Sequence, residues 1–523
     1  MMKRTTLAVL GLLIGQSALA EDADPAQSFA SEPPAYATLG EATGLLMLDY
    51  NRIDLTSGGT FDLASIHYLH QLNDWLYAGV GFGAPLVEGN YGGFFAADLA
   101  LHAQVPLFGN WFADAGVAFG AGAGGASIDN ILTLSGDGTL IKKYAGIGYD
   151  AGRFKFGVNI ADLQIANSPI DDTMISVFAQ LPLSYAVGKH AATNDSLSPA
   201  DFGGLGYESI ISYEYSNLTQ INPTGSYAGN IGLVSPSFTQ FYSESDYYFI
   251  GLDLGLSGLI WYNQAQGGIG KRISLAPRLN FYGQIGIGSG GWVTDTIDTG
   301  PGLIVYPKIK AEYMFNERLG AFASAGYFFA PLGTSKNWTI GAGLSFHLPS
   351  AGQAETADSD LALRGLRVSL FQRRMTDVVY NGVARDDLNL SSVQLDYSVD
   401  KHWYIPFQIA AATNDFSGYA GYVEGLAGLG WQTDLFGSDR VQGYAQMMIG
   451  LNDLGVDQAH EVGAQIYPSL GFNYNLSDRY SIYGQVGRTM SLGHLYDPNI
   501  TNSFEGTSFG LGVSYRFSLP RWR

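Results

Sequence analysis

The sequence predicts an all-β protein, a transmembrane antiparallel β-barrel architecture of about 24 strands in three repeats. Three observations carry that expectation. The last strand reads Thr507-Ser508-Phe509-Gly510-Leu511-Gly512-Val513-Ser514-Tyr515-Arg516-Phe517, alternating an apolar or aromatic residue with a small or polar one. Nearly the same pattern recurs at 338–348 and at 175–187. Alternation with period 2 gives one face to lipid and the other to a lumen. The composition agrees: there are 69 glycines, aromatics make up 13%, and only 14% of residues are charged, whereas a soluble domain carries roughly 25% charged residues. The unit to explain is a repeat of roughly 160 residues.

In chain order, Lys3 and Arg4, the apolar run 7–14 and Ala18-Leu19-Ala20 ahead of Glu21 read as a secretory signal peptide over 1–20. Residues 21–36, with Pro33-Pro34, read as a flexible N-terminus. No later segment offers about 18 uninterrupted apolar residues, so no transmembrane helix is expected. Cysteine is absent, so the stability of an exported chain has to come from elsewhere than disulfides. The net charge of −20 argues against a nucleic-acid partner, which would want a basic face.

The repeats are read as 37–188, 205–349 and 363–523. In the first, strands are expected at 43–54, 60–71, 76–86, 94–106, 111–121, 141–150, 153–164 and 174–187. The third strand shows how the copies match. After a short polar turn it places Leu76, Ala78, Val80 and Phe82 on one face, answered by Tyr248, Ile250, Leu252 and Leu254, and by Trp403, Ile405, Phe407 and Ile409. The fifth strand aligns Asp114, Gln284 and Gln446 on the opposite face, and Tyr306-Pro307 answers Tyr467-Pro468 in the sixth. Short turns follow strands two, four and six. Longer loops are expected after strands five and seven, an asymmetry that suits short periplasmic turns and long extracellular loops. Tyr50, Trp111, Tyr149, Trp431, Tyr474 and Tyr515 cluster towards strand ends as interfacial girdles.

Each repeat resembles the small eight-stranded outer-membrane barrels, the OmpA/OmpX-like group, in length, strand count, loop asymmetry and closing motif. The runs 341–348 (G-A-G-L-S-F-H-L) and 510–517 (G-L-G-V-S-Y-R-F) resemble the terminal signal read by the barrel-assembly machinery. The resemblance implies that Gly343, Phe346 and Leu348, and likewise Gly512, Tyr515 and Phe517, serve as assembly signals, with Tyr515 and Phe517 on the lipid face. Repeat one departs, with Pro182 in place of the glycine, and 518–523 extend past the final aromatic. The implied setting is the bacterial outer membrane. Its lipid, the assembly machinery and an unidentified extracellular ligand are the implied partners, with no cofactor.

Two architectures share this sequence. The strands could close one wide barrel, as in fimbrial ushers, acting as a pore or export channel, or three narrow barrels joined by linkers. The polar, acidic stretches 189–204 and 350–362 favour the second, because adjacent strands of one sheet need only a tight turn. Linkers of about 13–16 residues reach much further. They are expected to lie exposed, without ladder hydrogen bonds. The inward faces agree: Glu208, Glu214, Asp253, Arg272, Lys308, Lys310, Glu312 and His347 in repeat two, and Arg367, Arg373, Asp396, Glu424 and Arg516 in repeat three, carry both signs and can pair.

Catalytic candidates are few. Asp98 and His102, four apart on one inward face, could activate water as in outer-membrane proteases, though an inward polar pair that fills space reads as well. His347 could partner Ser345, with no third member in view. His67 and His70 fall on opposite faces of a strand and cannot share a metal. The glycine runs 120–125 and 286–291 end strands, with no following helix to hold a phosphate. No catalytic, cofactor or metal residue is assigned, and the chain is read as a structural or surface-binding protein rather than an enzyme.

Overall fold

The computed structural model describes residues 39–125, 134–197, 205–259, 262–290, 297–350, 361–415, 421–435, 438–454, 462–494 and 503–522. The stretches read as a signal peptide (1–20) and a flexible N-terminus (21–36), part of the first linker and most of the second fall outside them. Among the described residues the chain forms three closed antiparallel barrels of eight strands each.

Barrel one comprises β1 (Gly40–Asp54), β2 (Thr60–Gln71), β3 (Leu76–Ala84), β4 (Phe95–Pro106), β5 (Trp111–Ala123), β6 (Thr139–Asp150), β7 (Lys155–Ile165) and β8 (Asp171–Val187), closed by β1 against β8. Barrel two comprises β9 (Ser209–Gln220), β10 (Ile231–Phe241), β11 (Asp246–Ser257), β12 (Asn263–Ala276), β13 (Leu279–Gly290), β14 (Leu303–Met314), β15 (Leu319–Phe329) and β16 (Lys336–His347), closed by β9 against β16. Barrel three comprises β17 (Leu361–Tyr380), β19 (Leu388–Ser398), β20 (Trp403–Ala412), β21 (Val423–Leu435), β22 (Ser438–Asp453), β23 (Val462–Asn475), β24 (Tyr480–His494) and β25 (Phe504–Trp522), with a two-residue strand β18 (Val383–Ala384) added beside β17. Each closing strand pairs with the first strand of its own repeat, so the single wide barrel is excluded.

Alternation sets the two faces. Along β7 and β8, Phe156, Val158, Ile160, Ile175 and Val177 are exposed outward, while Asn159, Ser176 and Gln180 are buried inward. A band of this kind continues through Ile250, Ile269, Ile285, Ile309 and Ile340, and through Leu429, Ile449, Leu470 and Leu511. Trp75, Trp111, Phe154, Tyr242, Trp403 and Trp431 ring the strand ends on the side of the chain termini, here called the terminal rim. Tyr149 packs edge-on to Trp111, 5.4 Å between ring centroids. Prolines within strands sit where a missing N–H does least harm. The β14–β15 ladder skips from Val305 to Lys308 around Pro307, and the β23–β24 ladder skips from Ile466 to Ser469 around Pro468.

Four expectations need correction. The loop after strand seven of barrel one is short, because β7 runs to Ile165 and β8 starts at Asp171. β17 begins at Leu361, inside the stretch read as a linker, because Leu361 and Leu363 continue the strand's alternation and are buried. β25 does not stop at Phe517 but continues to Trp522. The first linker is not free of ladder contacts: Ser196 bridges Ala362, and Gly188, the residue just ahead of the linker, bridges Ser518.

The barrels also touch. Leu303 N–H donates to the Leu86 carbonyl at 2.9 Å, joining barrels two and one at the loop rim. At the terminal rim the His70 ring lies 4.2 Å from that of Tyr515, joining barrels one and three.

Candidate functional site

Two places could carry function: the barrel interiors and the loop rim. The interiors are built by a recurring device. Where an inward glycine stands in one strand, the residues flanking it in the two neighbouring strands meet directly above it. His67 and Asp98 both register with Gly81, and His67 Nε2 lies 3.1 Å from Asp98 Oδ1. A Cβ at Gly81 would stand 2.2 Å from the His67 ring, so any side chain there would break the contact. His102 and Tyr144 meet at 2.8 Å across Gly116 in the same way. So do Tyr404 and Gln446, at 3.1 Å across Gly430.

This arrangement dismantles the catalytic candidates. Asp98 is bound to His67, and His102 to Tyr144 and to Gln180 at 3.3 Å, so the two do not form a pair. His67 also lies 3.3 Å from Asp49, which takes Lys142 and accepts from Asn51 at 2.6 Å. Ser345 bonds Glu312 rather than His347. His347 sits between Glu312, at 3.0 Å, and Glu208, a chain of acceptors that offers no activated nucleophile. His70 points outward, away from His67, with its Nδ1 3.1 Å from the Tyr185 hydroxyl.

Most of the charges read as inward pair with one another. Lys308 meets Glu214 at 2.7 Å and Arg367 meets Asp396 at 2.7 Å, while Arg272 holds Glu208 and Arg373 holds Glu424. Both members of the Arg373–Glu424 pair are 0% exposed. Losing one member would strand a buried charge, at about 3–5 kcal/mol. A water-sized cavity of about 20 Å³ in barrel two is lined by Ser212, Thr239, Gln284 and Lys310, whose ammonium lies 5.1 Å over the Phe322 ring. The Glu208 carboxyl, just ahead of β9, is pushed up by burial, but His347 and then Arg272 more than offset this and hold it below the ordinary carboxylate range.

The loop rim is organised by carboxylates. Asp62 accepts the N–H groups of Leu86, Val87 and Glu88 at 2.9–3.1 Å, fixing the chain between β3 and β4. Ser289 Oγ donates to the Pro85 carbonyl at 2.8 Å, so barrel two braces that same segment. Thr139 of barrel one bonds the Thr413 carbonyl of barrel three. These contacts knit the loops of separate barrels into one rim. They depend on approach between repeats, which no local pattern signals. Residues 120–123 of the first glycine run and 286–290 of the second are strand residues here. Gly120 and Gly288 stand where a Cβ would fall 2.0 and 1.9 Å from a neighbouring carbonyl oxygen, so they serve sheet curvature.

Of the closing-motif residues, Gly343 and Gly512 face inward, and Phe346, Tyr515 and Phe517 face outward in the strands that close their barrels. Leu348 lies just past β16, its N–H donating to Ser209 at 2.9 Å. Tyr515 does not face lipid freely: it is half-buried against His70, beside Tyr480.

No protein-family model matches the chain, and no curated protein matches it. Among solved structures it is similar to a siderophore receptor, PirA, from Pseudomonas aeruginosa, at 11% identity over 93% of this chain and 81% of that one, with a TM-score of 0.26. It is also similar to the KdgM porin in complex with oligogalacturonate, at 7% identity over 58% and 98% of the two chains, with a TM-score of 0.15. It is similar as well to a de novo designed transmembrane β-barrel, at 12% identity over 27% of this chain and 97% of that one, with a TM-score of 0.21. At such scores the fold assignment rests on the chain's own strand pairing.

Proposed function

We propose that the chain is an integral outer-membrane protein whose three plugged barrels form a scaffold, with structural or surface-binding work done at the loop rim. The observation that carries this reading is the filling of each interior by paired charges and aromatic side chains. Eight strands leave room for side chains rather than a channel, and Arg373–Glu424, Lys308–Glu214 and Asp49–Lys142 occupy that room. The exposed apolar band supports burial in lipid, because a charge at its midplane would cost about 2–4 kcal/mol. On this reading the terminal rim is periplasmic and the braced loop rim extracellular, where its ligand would bind. The closing strands β16 and β25 present Gly343, Phe346 and Leu348, and Gly512, Tyr515 and Phe517, to the barrel-assembly machinery. Asp98 is held by His67 inside the barrel and Ser345 by Glu312, so neither the Asp98–His102 nor the Ser345–His347 pairing forms, which supports a non-enzymatic role. Reconstitution into planar bilayers tests the reading: the expected record is a flat baseline. Nanosiemens steps from purified protein would overturn it in favour of a pore.

A further inference from the structure

β17 and β25 overrun their barrel at the terminal rim. Residues Leu361 to Gly365 pair with Trp522 to Ser518, but the β17–β19 ladder starts only at Leu366 and the β24–β25 ladder stops at Tyr515. The overrun is thus a two-stranded tab with two open edges, and open edges are templates for pairing with another chain. Residues 188–197, chemically part of the link between barrels one and two, cover both. On the β25 edge, Gly188 and Ser518 exchange N–H···O bonds of 2.8 and 3.0 Å. On the β17 edge, Asn194 N–H donates to Leu363 at 2.8 Å, Leu363 N–H to Asp195 at 3.0 Å, and Leu197 N–H to Leu361 at 3.0 Å.

Between these two edges the chain crosses the tab in a 3-10 turn, His190–Ala192, and reverses at Asn194, whose φ of +74° suits an asparagine. Gly365 makes the crossing possible: a Cβ there would stand 2.3 Å from Thr193 Oγ1 and 3.2 Å from His190 Nε2. Burial, and then the guanidinium groups of Arg367 and Arg516, hold the His190 imidazole down to about 3, so it lies neutral beside Gly365. Leu197 and Leu205 complete an apolar cluster with Leu361 and Leu363, against which Leu39 and Ala186 of barrel one and Trp522 also pack. Barrel two joins through Arg318, 5.0 Å over the Trp522 ring.

We infer that segment 188–197 is a strap rather than a tether: it seals the open edges of barrel three and locks that barrel onto barrel one. Barrel three then completes its terminal rim only on a segment made before it, and the chain leaves for barrel two and returns at one and the same cluster.

Ser196 and Ala362 face each other as a non-hydrogen-bonded antiparallel pair, with Cα atoms about 4.5 Å apart, within disulfide reach. The chain has no cysteine of its own, so the double variant S196C/A362C in the full-length protein should oxidise to a single intramolecular crosslink. In a second experiment, protease sites are inserted at 200 and at 355 and both are cut in mild detergent. A tag ahead of barrel one should then still retain barrel three as a folded, heat-modifiable fragment. Gly365→Leu, which fills the crossing without touching a ladder hydrogen bond, should abolish that retention. Failure of the cysteine pair to crosslink, or equal retention with Gly365→Leu, would overturn the strap. Should Gly365→Leu not fold, the crosslink decides alone. Conductance is not involved, so this test can fail while the plugged-barrel reading stands.

Discussion

Replacing Arg373 by methionine isolates the worth of a buried charge pair in a barrel core. Arg373 holds Glu424 with both side chains sealed from solvent, and its guanidinium lies 4.9 Å from the Tyr467 ring. In Arg373→Met, Glu424 keeps three neutral donors: Tyr422 at 2.9 Å, Gln465 at 3.0 Å and Gln408 at 3.1 Å. They soften the loss, so the cost falls at the low end of the range for a broken buried pair, about 3 kcal/mol. With a urea slope of about 2 kcal/mol per molar, the midpoint of barrel three should fall by about 1.5 M. Removing both charges in R373M/E424Q leaves a neutral network of similar volume and should bring the midpoint back to within about 0.5 M of the parent. The assay is urea titration in lipid vesicles, read by loss of the heat-modifiable gel band. A single variant that unfolds with the parent, or a double variant no better than the single, would refute the account of the core as paired charge.

Two further outcomes follow from the terminal rim. Phe517→Asp puts a charge on the outward face of the closing strand and should lower the yield of folded protein in the membrane fraction more than Trp522→Asp, whose site lies on the tab beyond the barrel ladder; equal yields would count against the closing motif as an assembly signal. Glu208 has a lowered folded-state pKa, so the stability it contributes is fully present above the ordinary carboxylate value of about 4.3 and is lost as pH falls through the lowered one. Glu208→Gln should therefore be less stable than the parent at neutral pH and lose less on acidification, and superimposable acid-unfolding curves would contradict this.

The period-2 alternation makes strands and faces legible, because a strand's inward set follows from its own residues. Asp253, Arg367 and Glu424 could be called inward from sequence for that reason, and they are buried. Their partners could not be called. Asp98 reaches His67, two strands away, only because Gly81 lies between them in register, and register is a property of two ladders at once. Reading Asp98 with His102 took the nearest neighbour along one strand, whereas a barrel core pairs across strands. Tyr515 departs from the lipid-facing expectation for a related reason: alternation says outward, and outward means lipid for an isolated barrel but a neighbouring ring once His70 stands there.

The linkers show where composition misleads. Residues 189–204 and 350–362 are polar and rich in small residues, which describes chain that leaves the lipid but does not say whether that chain is paired. In water an uncovered strand edge is a liability, and a barrel that overruns its ladder creates two. The overrun continues the alternation, Leu361 and Leu363 inward with Ala362 and Arg364 between, yet the linker reading runs through Ala362 and takes in its first two residues. Its cover was invisible, since nothing in K-H-A-A-T-N-D-S resembles a strand. What holds that segment in place is backbone hydrogen bonding, a left-handed asparagine and one missing Cβ at Gly365. Three closed barrels need no contact with one another to satisfy their own hydrogen bonds. That the chain spends ten residues on sealing the third against the first therefore points to a demand on the array as a whole: a loop rim assembled from separate barrels keeps its geometry only if the barrels cannot turn against each other.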